Sequence, residues 1–155
     1  MRDPLPAILL VEDDPNDVLL IQRAFRKAKL GNPVHVARDG EEALSCLAGT
    51  GSYADRVRYP YPVLVLLDLK LPRKSGHEVL QWLRGQEGLR RTPVVVLTSS
   101  KESADVDRAY DLGANSYLVK PVSADALFEM VQGLRLYWLI LNENPQVLLR
   151  EGGGG

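Results

Sequence analysis

Five side chains spread along this chain could do chemistry together: Glu12, Asp13, Asp68, Thr98 and Lys120. Each stands at the end of a short apolar run of the kind that forms a buried strand. Alone, none says much, because an acid there is commonly a helix cap and a lysine a solvated charge. Together they mark four of five strand ends, and in parallel α/β folds the functional crevice lies outside the carboxyl ends of the strands. Crowded carboxylates repel, so they raise one another's pKa or recruit a cation. Oxygen-only ligands suit Mg²⁺, which prefers one or two carboxylates plus a phosphate oxygen. An ionised aspartate can attack phosphorus and form an acyl phosphate. A metal and a lysine would stabilise charge on the transferring group, and a threonine hydroxyl would bond a phosphoryl oxygen. The set fits phosphoryl transfer onto a carboxylate better than metal-assisted hydrolysis. No histidine and cysteine cluster points to zinc.

These groups need strands to deliver them. Runs at 7–11, 34–37, 63–67, 94–97 and 115–119 read as strands. Between them lie helical patterns. Asp14-Pro15 starts the first, which Gly31-Asn32-Pro33 is expected to end. Asp39 and Ser75 open capping boxes with Glu42 and Glu78. A fourth helix runs from about Glu102 to Leu112 and stops at Gly113, and Ser123 caps a last one reaching about Asn142. Strand and helix alternate five times, which predicts a parallel sheet covered on both faces. Residues 49–62, rich in glycine, proline and tyrosine, read as a long loop without a regular element, either a specialised contact or a tolerated insertion.

At 155 residues the chain is expected to form one domain, residues 1–145, with a flexible tail at 146–155 that ends in glycines. A formal net charge of −1 argues against nucleic acid or an anionic membrane as partner. Cys46 has no second cysteine to pair with, and no apolar stretch has the length of a membrane span or the pattern of a signal peptide, so a cytoplasmic protein is expected.

Four segments together resemble the receiver domain of two-component response regulators: LLVEDDPND at 9–17, LLDLKLPRKSGHEVL at 66–80, VVVLTSS at 94–100 and GANSYLVKPV at 113–122. The resemblance implies a flavodoxin-like sheet in the order 2-1-3-4-5 with five helices. It implies that Asp68 is the phosphoacceptor for a sensor kinase phosphohistidine. Mg²⁺ would be held by Asp13, by Glu12 through water, by Asp68 and by the backbone carbonyl of Lys70. Thr98 resembles the switch hydroxyl, Lys120 the pocket lysine with a cis bond to Pro121, and Tyr117 the aromatic ring that moves with Thr98. Such a protein is a signalling switch that catalyses only its own phosphorylation and dephosphorylation.

The last helix carries Leu127, Val131, Leu134, Trp138 and Leu141 on one face, and Leu136, Tyr137, Leu139 and Ile140 make the rest apolar too. A helix apolar all round is buried on more than one side, so a homodimer through this helix is expected. The long loop and the YWLILNENP ending also resemble stand-alone receivers that partner phytochrome-type histidine kinases.

Other features carry less. His35 and His77 read as half-buried or solvated, Cys46 as packing, and the arginines from 84 to 91 as a solvated helix end. Lys70, Arg73 and Lys74 beside Asp68 are either a steering patch or ordinary surface charge. Two rival readings stand. One is an Asp-nucleophile phosphatase, which would want a second acid where Lys70 stands. The other is a receiver fold kept for binding alone, against which the complete set of Asp13, Asp68, Thr98 and Lys120 argues.

Overall fold

The apolar runs become strands because each is short and rich in β-branched residues or leucine; the three central ones are buried on both faces and the two edge strands only partly. The computed structural model describes residues 6–135. The chain order is β1 (Ile8–Val11), α1 (Pro15–Lys27), β2 (Val34–Ala37), α2 (Gly40–Ala48), β3 (Leu64–Leu67), α3 (Gly76–Gly85), β4 (Val94–Thr98), α4 (Ser103–Asp111), β5 (Ser116–Val119) and α5 (Ala124–Leu134). All pairs are parallel, and the sheet order is β2-β1-β3-β4-β5. That is the doubly wound fold expected. The proposed dimer residues Leu136, Tyr137, Leu139 and Ile140, the far end of the last helix and the glycine tail lie outside the described residues.

Alternation along the strands divides the core in two. Leu9, Val11, Val65, Leu67, Val94 and Val96 pack with α2 and α3. Ile8, Leu10, Leu64, Leu66, Val95 and Leu97 pack with α1 and α5. Followed to the strand ends, the same alternation turns Glu12, Asp68 and Lys120 toward α1 and α5, and Thr98, the last residue of β4, toward the other side.

The caps follow the sequence at most helix starts. Asp14, Asp39, Ser75 and Ser123 each accept a backbone N–H of the first helical turn. The Glu42 carboxylate reaches back past the cap to the Arg38 N–H, at 3.0 Å. The end of α1 differs from expectation. It stops at Lys27, before Gly31, because Lys29 takes a left-handed conformation (φ 59°) and the Leu30 N–H closes onto the Phe25 carbonyl. Every described peptide bond is trans, Lys120–Pro121 included, against the cis form the resemblance implies; trans is the lower-energy state of an X–Pro bond.

The 49–62 segment is tied down by its own domain and holds a short 3₁₀ turn, Gly51–Tyr53, that its composition did not predict. Arg56 donates to the carbonyls of Cys46 and Leu47 at the end of α2, both at 2.8 Å, and stacks over Tyr61. A cation capping the carbonyl end of a helix explains why so irregular a stretch is ordered.

Arg84 also departs from expectation, since it is no solvated helix end. Its guanidinium donates to the carbonyls of Gly113, Arg90 and Thr92 and to Asn115 Oδ1, over 2.7–3.0 Å. Burial pulls its pKa below the ordinary arginine value, and the ring of acceptors keeps it charged. It fastens the end of α3 to the turn between α4 and β5. Arg84→Ala is expected to cost about 2–3 kcal/mol, because several carbonyls lose a charged donor at once. Urea denaturation checks this; an unchanged midpoint would mean that water replaces the guanidinium without loss.

Candidate functional site

The strand ends bring the predicted groups to one edge of the sheet. Asp68 follows β3 and its N–H donates to the Val11 carbonyl, which sets it beside Glu12 at the end of β1. Glu12, Asp13 and Asp68 each offer a carboxylate oxygen within 4.8 Å of the others. Glu12 and Asp68 are buried, at 1% and 6% exposure, whereas Asp13 is open to solvent.

Both Asp68 oxygens are engaged. Oδ1 accepts from Thr98 Oγ1 at 2.7 Å and more weakly from the Lys70 N–H at 3.3 Å. Oδ2 accepts from Lys120 Nζ at 2.9 Å. Thr98 is fully buried and needs no displacement to reach Asp68. Tyr117, half-buried in the adjoining core, donates its hydroxyl to the Ser100 carbonyl at 3.0 Å. Ser100 in turn donates to Asp105 Oδ2 at 2.6 Å, so Thr98, Ser100 and Tyr117 form one run of contacts into the start of α4. His77 is buried, not half-solvated, with its ring 3.4 Å from the Asp105 carbonyl.

Lys120 is the electrostatic centre. Its ammonium meets Glu12 Oε1 at 2.5 Å, Asp17 Oδ2 at 2.8 Å and Asp68 Oδ2 at 2.9 Å. An ammonium has three N–H donors, so the three acids use all of them. Burial by itself pulls Lys120 down, but the bonds to Asp17, Glu12 and Asp68 outweigh it and hold the group above the ordinary lysine value. Glu12 goes the other way from an ordinary acid. Burial pushes it up to about 7, against the opposing pull of Lys120 and the Asp14 N–H, and the Asp68 charge adds to the rise.

Asp17 was not among the residues singled out from the sequence. The signal was present: it lies in the first turn of α1, whose start faces the strand ends. Gly76 was also missed as a site residue. A side chain there would bring Cβ to 2.2 Å from the Asp68 carbonyl oxygen, so glycine is what lets α3 begin against the Asp68 loop. Arg73, with φ 71°, pairs with Asp39 and Glu41, which uses up one of the three flanking cations. Lys70 is exposed, and among the described residues nothing donates to its carbonyl.

The donor set suits a hard divalent cation. It is all oxygen, partly desolvated, and holds an exposed acid, Asp13, to whose carboxylate no described residue donates. A cation placed there would relieve the repulsion that Lys120 now offsets alone.

A family model for the response regulator receiver domain matches residues 8–132. The chain belongs to that family. The receiver is 41% identical to the response regulator Rcp1 of Synechocystis sp., over 88% of this chain and 91% of that protein. It is 43% identical to a probable methanogenesis regulatory protein, FilR2, of Methanothrix harundinacea, over 93% of this chain and 90% of that one. Among solved structures, the bacteriophytochrome response regulator AtBRR is 50% identical with a TM-score of 0.73, covering 91% of this chain and 100% of that one. The Mn²⁺-bound form of Rcp1 gives a TM-score of 0.81 at 40% identity, covering 90% of this chain and 99% of that one. The receiver is thus a response regulator of phosphorelay signalling, a signalling protein and not a typical enzyme, and its relatives include phytochrome response regulators. Receiver domains bind a divalent metal, and the acidic cluster here stands where the strand ends place it. No described helix is long and apolar enough to cross a membrane.

Lys120→Ala is expected to cost about 3 kcal/mol in metal-free buffer, because it strands buried carboxylates without their cation. Added Mg²⁺ should restore part of that loss by binding the folded state. Denaturation with and without MgCl₂ checks both parts; midpoints of wild type and variant that do not move with MgCl₂ would mean that the cluster does not take the ion.

Proposed function

We propose that Asp68 is the phosphoacceptor of this receiver and that a sensor histidine kinase is the donor. The observation that carries the reading is the Asp68 carboxylate itself, buried, bonded to Thr98 and Lys120, and set beside Glu12 and Asp13. An Asp68 oxygen attacks phosphorus, the P–N bond to the donor imidazole breaks, and the imidazole keeps the electron pair and takes up a proton. Lys120 neutralises charge on the phosphoryl oxygens, and Thr98 moves its hydrogen bond from the carboxylate to one of them. Asp13, Asp68, the Lys70 carbonyl and Glu12 through water would hold Mg²⁺, which would supply further charge neutralisation. The protein thereby catalyses only its own phosphorylation and dephosphorylation.

The new charge acts on Thr98 and, through Ser100, on Tyr117 and α4, so the readout is a protein-binding face around α4, β5 and α5. The likeness to AtBRR and Rcp1 favours a phytochrome-type kinase as donor, in the cytoplasm. The apolar residues Leu136, Tyr137, Leu139 and Ile140 favour a homodimer through the last helix. An Asp-nucleophile phosphatase is disfavoured because Lys70 stands where its general acid would be. A receiver kept only for binding is disfavoured by the intact contacts of Thr98 and Lys120 with Asp68.

Intact-protein mass after incubation with acetyl phosphate tests the chemistry. One added phosphoryl group is expected, lost without Mg²⁺ and lost in Asp68→Asn; a group that persists in Asp68→Asn would place the acceptor elsewhere. Light scattering tests the assembly. Ile140→Asp should weaken the dimer without removing phosphorylation, and a monomeric wild type in both resting and phosphorylated forms would reject the dimer.

A further inference from the structure

Among the described residues, Asp17 is the one partner of Lys120 that belongs neither to the acceptor nor to the acidic pair at the end of β1. Its Oδ2 lies 2.8 Å from Lys120 Nζ, and its side chain is about one-third exposed, at 33%. Leu20, Ile21, Pro121 and Leu127 surround this contact in a small cavity between α1 and the start of α5.

The three contacts of Lys120 do not share one fate in the reaction. The bond to Asp68 must pass to a phosphoryl oxygen once that carboxylate is acylated. The bond to Glu12 competes with a cation at the acidic pair. The bond to Asp17 is touched by neither event. The ammonium therefore keeps one fixed partner while the other two change. That partner also adds a negative charge two hydrogen bonds from the reacting oxygen, where screening by water is incomplete.

We propose that Asp17 is a positioning residue that holds the Lys120 ammonium across the mouth of the pocket, and that its charge sets the balance between cation binding and entry of the anionic phosphodonor. The inference rests on Asp68 being the acceptor. A negative charge here favours the divalent cation and disfavours a dianionic donor, so its removal acts on the two with opposite signs. The plainer role for an acid in the first turn of a helix is to complement the helix dipole, which would change stability and leave both affinities alone.

The test uses the full chain with Asp17→Asn, which keeps size and an acceptor oxygen and removes the charge, and Asp17→Glu, which returns the charge. Calorimetric titration with MgCl₂ reads cation affinity without phosphorylation. The rate of phosphorylation by acetyl phosphate at saturating Mg²⁺ gives KM and kcat separately. Asp17→Asn is expected to weaken Mg²⁺ binding and to lower KM for acetyl phosphate, each by about threefold to tenfold for one partly screened charge. Asp17→Glu should lie near the wild type in both. Unchanged affinities in Asp17→Asn, or a loss in both, would overturn the proposal. If the wild type takes up no phosphoryl group, the acceptor assignment fails, and the proposal falls with it even where the Mg²⁺ titration responds to Asp17.

Discussion

One ammonium among three carboxylates, at the edge of a buried sheet, is the constraint on which the pocket depends. Lys120 reaches Glu12, Asp17 and Asp68 at once, and both Glu12 and Asp68 are buried. Burying one such acid without its cation would cost several kcal/mol. The surroundings are built to keep the contact in register. The Asp68 N–H is held by the Val11 carbonyl, the Lys120 N–H by the Thr98 carbonyl, and Gly76 lets α3 start against the Asp68 loop. The cost of that burial shows in Glu12, whose carboxyl sits at about 7 because desolvation outweighs its two donors, with the Asp68 charge adding to the rise. A divalent cation is the natural complement to that arrangement.

The alternation of the strands gives the pocket two sides with different work. The carboxylates and Lys120 face α1 and α5, where charge gathers. Thr98 starts the other side. From it the contacts run through Ser100 to Asp105 in α4 and to Tyr117 in β5. Meanwhile Arg84 ties the far end of α4, through the Gly113 carbonyl, to α3. The helix is therefore joined to the pocket at its start and anchored at its end.

The likeness to Rcp1 and AtBRR, at 41% and 50% identity, spans nearly the whole chain and fits a domain whose chemistry sits at its strand ends. FilR2 at 43% identity shows that this kind of receiver also occurs in a protein named for another process. The 49–62 segment, fastened by Arg56 to the end of α2, is a feature of the domain's own architecture.

Much of this was legible in the residues. Short apolar runs closed by Glu12, Asp68, Thr98 and Lys120 predict both the parallel sheet and the edge that carries the pocket, because a buried strand must be apolar and its end is where polarity can return. Asp14, Asp39, Ser75 and Ser123 announce helix starts by local chemistry that needs no tertiary partner. What stayed hidden depends on contacts between distant segments. Asp17 and Lys120 lie 103 residues apart, and the aspartate's place in the first turn of α1 does not by itself say that Lys120 meets it. Arg84 looks like a solvated charge until Gly113 and Asn115 close around it. Lys29 ends α1 before the glycine that seemed made for it, because its left-handed backbone lets the Leu30 N–H close onto the Phe25 carbonyl. Apolar period and capping are written in neighbouring residues, so the sequence by itself determined the elements and the edge that carries the pocket. Which charge meets which is a matter of distance after packing, and only the tertiary structure decided it.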